Sequence, residues 1–139
     1  QELERHIEDC RRYGARGAVL MLDLDHFKEV NDTLGHAVGD EFLVEIGRLL
    51  QQRMRSTDLV ARLGGDEFAV LVRDARPERL TELADRILEK LRGTPMRFGE
   101  LQVTVGASVG IARAAAGDTA DTLLRNADLA MYRAKRTGR

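Results

Sequence analysis

The spacing of apolar residues changes period several times along the chain, and each change marks an element. Gln1 to about Ala15 places Leu3, Ile7 and Cys10 at helical spacing, which predicts an amphipathic helix. Ala18 to Leu24 (AVLMLDL) is apolar on both alternating faces and too short for a typical helix, so it reads as a central strand covered on both sides. His26 to Leu34 predicts a short helix, with Asp25 as its candidate N-cap. Val38 to Met54 predicts a stronger one, with Val38, Phe42, Ile46 and Leu49/Leu50 on one face.

Leu59 to Leu63 and Phe68 to Val72 read as two strands joined at Gly64-Gly65-Asp66-Glu67, a hairpin signal because glycine tolerates positive φ. Pro77 suits the first turn of a helix burying Leu80, Leu83/Ala84, Ile87/Leu88 and Leu91. Leu101 to Val105 and Ala107 to Ala112 read as further strands, with Gly106 marking a bulge or close approach. A last helix, capped by Asp118, carries Leu123/Leu124, Ala127, Ala130/Met131 and Ala134. A βααβ unit followed by β-α-β predicts a ferredoxin-like α/β sandwich. Its sheet is mostly antiparallel, of about five strands, and flanked by helices.

Composition narrows the function. The 139 residues suit one compact domain, and at 43% apolar they supply a sizeable core. A net charge of −1 gives no support for a nucleic-acid polymer as partner or for a polybasic membrane surface. No apolar run approaches a bilayer span, and the start does not resemble a signal peptide. Cys10 alone excludes an internal disulfide and is compatible with a reducing compartment, hence a cytoplasmic location. There is no Walker P-loop and no dinucleotide fingerprint.

The acids are more informative. Asp23 shares a strand face with Val19 and Met21, where a carboxylate needs a partner or a metal ion to offset desolvation. Asp66 and Glu67 lie at the hairpin and, as successive residues, point to opposite faces, so one of them turns towards Asp23 if the strands are neighbours. Two such carboxylates with substrate phosphates suit Mg²⁺, and Gly64 and Gly65 allow a phosphate close to the backbone. Taken singly, Asp23 reads first as a satisfied strand-end acid, and Asp66-Glu67 as an ordinary solvated turn.

Three separated stretches together resemble the GGDEF family. RLGGDEFAVL contains the name-giving motif at Gly64 to Phe68. DLDHFKEVNDTLGHAVGD is similar to a second signature through Asp23, Phe27, Lys28, Asn31, Asp32, Gly35, His36, Gly39 and Asp40. NADLAMYRAKRTGR is similar to a third through Ala127, Asp128, Tyr132, Ala134, Lys135, Gly138 and Arg139. The resemblance implies a diguanylate cyclase that condenses two GTP into cyclic di-GMP as a homodimer with bound Mg²⁺, or Mn²⁺ in its place. It implies metal ligation by Asp23, Asp66, Glu67 and the Leu24 carbonyl, with Asp66 and Glu67 catalytic. Phosphate contacts fall to Lys28, Lys135, Arg139, the backbone near His26 and Phe27, and the Gly64-Gly65 turn. Asn31 and Asp40 read guanine, and Leu43 lines the base pocket.

Arg55-Ser56-Thr57-Asp58 is an RxxD separated from Gly64 by five residues, the spacing of the family's product-inhibition site, and Arg86 matches its third residue. An Arg–Asp pair in a polar turn is the plainer reading of the same residues. A non-catalytic GGDEF module that binds GTP or cyclic di-GMP as a regulatory ligand is the alternative function. The chain lacks the family's DxLTGLxNR lead segment and its trailing strand. Residues 1–139 are therefore expected to be one domain of a larger signalling protein, which leaves room for membrane anchoring elsewhere.

Overall fold

The computed structural model describes residues 17–25, 27–52, 58–72, 76–98, 100–104, 106–114 and 119–136. The helix expected over residues 1–15 lies outside them, as do His26, Arg55, Asp118 and Arg139. The elements are β1 (Ala18–Leu24), α1 (Phe27–Leu34), α2 (His36–Gln52), β2 (Leu59–Gly64), β3 (Glu67–Val72), α3 (Pro77–Gly93), β4 (Met96–Phe98), β5 (Leu101–Val103), β6 (Ala107–Arg113) and α4 (Ala120–Arg136).

Four strands form one sheet in the order β2-β3-β1-β6, with every neighbouring pair antiparallel. β1 and β2 therefore run parallel with β3 between them, and β3 and β6 run parallel with β1 between them. These two interlocked split β-α-β units make the ferredoxin-like sandwich. The strand expected at Leu101 to Val105 does not join this sheet. It pairs with β4, which the apolar pattern did not reveal, in a separate two-stranded ribbon. Three-residue strands are too short to establish a period.

β1 is central, and its two faces serve two cores. Leu20, Leu22 and Leu24 pack with Val70, Phe42, Ile46, Leu80 and Ile87 beneath α1, α2 and α3. Val19 and Met21 pack with Ala69, Leu71, Leu123, Ala127 and Met131 beneath α4. That double burial explains why AVLMLDL is apolar at nearly every position. Leaving either face in water would forfeit about 25 cal/mol for each Å² of apolar surface. Asp23 continues the α4-facing row, so the one acidic position of β1 points towards α4.

α1 and α2 are separated by Gly35 alone, whose φ of +93° is open to glycine at little cost. α2 consequently starts at His36, earlier than the expected Val38. Thr119 caps α4: its Oγ1 accepts from the Thr122 N–H at 3.1 Å. No helix among the described residues is long and apolar enough to cross a membrane.

Candidate functional site

The C-terminal end of β1 brings together side chains from four elements. Asp23 sits opposite Glu67 of β3 and Ser108 of β6 in the strand register. The β2–β3 connection is the tight turn Gly65-Asp66, made possible by φ +46° at Gly65. A register shift between Arg62 and Gly64 reshapes the approach to the turn. The Arg62 Nε–H donates to the Gly65 carbonyl at 3.2 Å and clamps it. The Leu24 N–H donates to the Asp66 carbonyl at 3.3 Å, tying the turn to the end of β1. The turn thus delivers Asp66 beside Asp23, the convergence expected if the two strands were neighbours.

Lys135 reaches Asp23 from α4, its Nζ donating to Asp23 Oδ2. The Asp23 side chain is 13% exposed and that of Lys135 39%, so the pair lies at the rim of the protein rather than in its core. Asp25, expected as a helix cap, accepts at Oδ1 from the Ser108 hydroxyl at 3.2 Å, while its N–H donates to Gly106 O at 2.9 Å.

Among the described residues here the acids outnumber Lys135, and their protonation equilibria register it. Partial burial raises the Asp66 carboxyl above its ordinary value, and the negative charge and hydrogen bond of Asp23 add to the rise. A backbone hydrogen bond and Lys135 offset only part of it. Glu67 is raised by burial, then by the charges of Asp128, Asp23 and Asp66. Burial works to lower Lys135, but the hydrogen bond and charge of Asp23, with Asp25 and Asp66, outweigh it and raise the ammonium. Burial and like charge together disfavour ionisation of both Asp66 and Glu67, the pattern of crowded carboxylates.

The remaining predicted residues fall into distinct places. Phe27 opens α1 and is buried, with its ring 6.0 Å from that of Phe42, while Lys28 is exposed. Asn31 is half-buried against α2, and Asp40 is exposed. Leu43, expected to line a base pocket, is 2% exposed and packs into the core. Gly64 and Gly65 are exposed at the turn. A groove of about 560 Å³ runs between α2 and Thr94–Arg97; it shares Asp40 with the predicted set and none of the acids at the β1 end.

At the RxxD motif, the Asp58 side chain is 1% exposed and pairs with Arg79 of α3 at 3.7 Å. Arg86, two turns further along α3, is exposed and pairs with Glu82 at 3.0 Å. Arg79, seven residues before Arg86 on the same helix face, was not singled out in the sequence. Arg79→Ala removes a partner from a buried carboxylate and is expected to lower unfolding free energy by about 3 kcal/mol, measurable by urea denaturation. Ser108 and Arg62 also escaped the sequence reading. A lone serine in an apolar strand opposite Asp23 was the available signal for the first; nothing local marked the second.

Comparison with known proteins places this geometry. The model of the family described as "Diguanylate cyclase, GGDEF domain" matches residues 1–139. The chain is 41% identical over 138 residues to the bifunctional diguanylate cyclase/cyclic di-GMP phosphodiesterase MucR of Pseudomonas aeruginosa, covering 99% of this chain and 20% of that protein. The crystal structure of the GGDEF domain of TpbB from the same organism superposes with a TM-score of 0.88 at 42% identity, over 99% of this chain and 87% of that one. The GGDEF domain of DgcB from Caulobacter crescentus, solved with c-di-GMP, gives 0.90 at 26% identity, over 99% and 82%.

Fold and site together define a ferredoxin-like sandwich with an acidic cluster where the central strand meets a glycine hairpin. The chain belongs to the GGDEF domain family of diguanylate cyclases. It spans about a fifth to a third of the length of curated relatives such as MucR and TpbB.

Proposed function

We propose that this domain is a diguanylate cyclase that condenses two GTP into cyclic di-GMP and two pyrophosphates, as part of a larger signalling protein. The observation that carries the reading is the meeting of Asp23 and Asp66 at one strand end, with more negative charge than Lys135 balances. Among the described residues no three acidic or histidine side chains close a metal cage. Mg²⁺ does not need one, since it keeps several waters and is held through one or two carboxylates plus substrate phosphates. The donor set of Asp23, Asp66 and the Leu24 carbonyl, with Glu67 adjacent, is hard oxygen throughout and fits Mg²⁺ or Mn²⁺. The bound ions would neutralise the triphosphate and stabilise charge developing on the transferred phosphorus.

The chain's own residues do the rest. Asn31 and Asp40 orient the guanine: the carboxylate accepts from N1–H and N2–H₂, and the amide offers a donor and an acceptor. Lys28, Lys135 and Arg139 would neutralise the triphosphate, and Lys135 exchanges Asp23 for phosphate oxygens on loading. Two loaded domains meet about a two-fold axis, so that each 3′-OH attacks the other nucleotide's α-phosphate. A phosphodiester bond forms, pyrophosphate leaves, and the hydroxyl proton passes to a nearby carboxylate, with Glu67 placed to assist.

Incubating the protein with GTP and Mg²⁺ and following cyclic di-GMP by chromatography tests the reading. Product should form with a specific activity that rises with enzyme concentration, because one domain supplies half the site. Tight GTP uptake with no product would instead identify a regulatory binding module. Cyclic di-GMP bound at the RxxD motif would supply product inhibition. On that reading Arg55→Ala keeps the initial rate within about twofold while abolishing the slowdown as product accumulates, because guanine loses a planar fork of donors.

A further inference from the structure

Gly39 occupies a helical position where its own backbone conformation gives no reason for glycine. It lies inside α2 and is buried, and the positive φ values of the described glycines belong to Gly35 and Gly65. A glycine in a helix interior is less favourable than alanine, so something else holds it there. A Cβ at Gly39 would stand 1.8 Å from Asn31 Oδ1, 3.0 Å from Asn31 Cγ and 3.4 Å from Phe27 Cζ. The Asn31 carboxamide therefore rests on bare helix backbone.

The elbow between the helices sets up this contact. The Gly35 N–H donates to the Asn31 carbonyl at 2.8 Å, and the Gly39 N–H donates to the Gly35 carbonyl at 3.0 Å. With φ +93° at Gly35, the first turn of α2 folds back over the last turn of α1. Asp40 follows Gly39 directly and is exposed. An amide from one helix and a carboxylate from the next thus flank a single glycine.

We propose that Gly39 is a specificity-determining positioning residue: its missing side chain seats the Asn31 amide beside Asp40, in the place that recognises a purine edge carrying N–H donors next to a carbonyl. This rests on the cyclase reading above. The physical distinction is what yields to a methyl group. Asn31 Oδ1 is the free end of a flexible side chain and swings aside, while the helices stay where they are. A methyl at 39 therefore displaces the reader of the base without disturbing the fold. The acids at the β1 end belong to other elements and are untouched.

The test compares Gly39→Ala, Asn31→Ala and the double variant with the wild-type protein, measuring thermal midpoint, kcat and KM for GTP. Gly39→Ala should melt at or above wild type, since alanine favours the helix. Its KM for GTP should rise about tenfold, the worth of one well-placed hydrogen bond, with kcat kept within about threefold. The double variant should bind GTP no more weakly than Asn31→Ala alone, because both changes remove one interaction. An unchanged KM, penalties that multiply, or a midpoint well below wild type would each overturn the assignment. Wild-type protein that neither binds nor turns over GTP would instead remove the cyclase reading, and the seat with it; turnover by wild type with an indifferent Gly39→Ala removes the seat alone.

Discussion

Asp66→Asn is expected to lower cyclic di-GMP formation by about a thousandfold or more while leaving the unliganded protein as stable as wild type, or more stable. The two halves of that expectation have one cause. Asp66 is crowded by Asp23 and by partial burial, which raises its carboxyl. A raised folded-state value means that the group favours folding when protonated, and that this contribution is lost as pH rises through the folded value. The ionised form of Asp66 is therefore the one the fold disfavours. Asparagine retains the shape and removes the repulsion, but it supplies no negative charge for a divalent cation. Thermal melts with and without GTP and Mg²⁺ check both halves: wild type should be stabilised by the pair, and the variant should melt at or above the unliganded wild-type midpoint with no ligand-induced rise.

Gly110→Ala should be the most damaging conservative change in the described core. Gly110 lies opposite Met21 in β6, and α4 rests directly on it. A Cβ there would stand 2.0 Å from Met131 N and 2.4 Å from Ala127 O, backbone atoms that no rotamer change can move. α4 must lift by on the order of an ångström to restore ordinary contact. Unpacking Ala127, Met131 and Leu123 from the sheet is expected to cost about 3 kcal/mol, or roughly a 10 °C fall in midpoint. Activity should fall as well, because Lys135 lies one helical turn beyond Met131 and is carried away from Asp23. Gly47→Ala in α2 is the internal control. Its Cβ would meet only Phe68 Cε1, at an ordinary 3.6 Å, so alanine there should stabilise by about 1 kcal/mol.

These two glycines show what a linear reading reaches. The double burial of AVLMLDL, the hairpin at Gly64-Gly65 and the inward faces of the long helices were legible because each is a local period or a local backbone requirement. So was the split β-α-β order, which element sequence alone largely dictates. The β4–β5 ribbon was not, because three residues carry no period. Gly110 was not, because its reason is a helix arriving from twenty residues further on. At the site, the acids were nameable from Asp23, Asp66 and Glu67. Their crowding depends on the Leu24–Asp66 backbone bond, which is tertiary, and on the Arg62 clamp, a contact within the turn that no local period announces. Leu43 was nameable because it follows Asp40 by one turn; that it packs into the core beneath α2 is a tertiary fact the spacing does not carry.

The central claim is that carboxylates from β1 and from the hairpin turn jointly grip a divalent cation under a nucleotide's phosphates. Calorimetric titration of GTP into the protein, with Mg²⁺ and then with Mg²⁺ removed by chelation, addresses it directly. The account predicts strong uptake that collapses without the metal. GTP binding of equal strength in both conditions would contradict it.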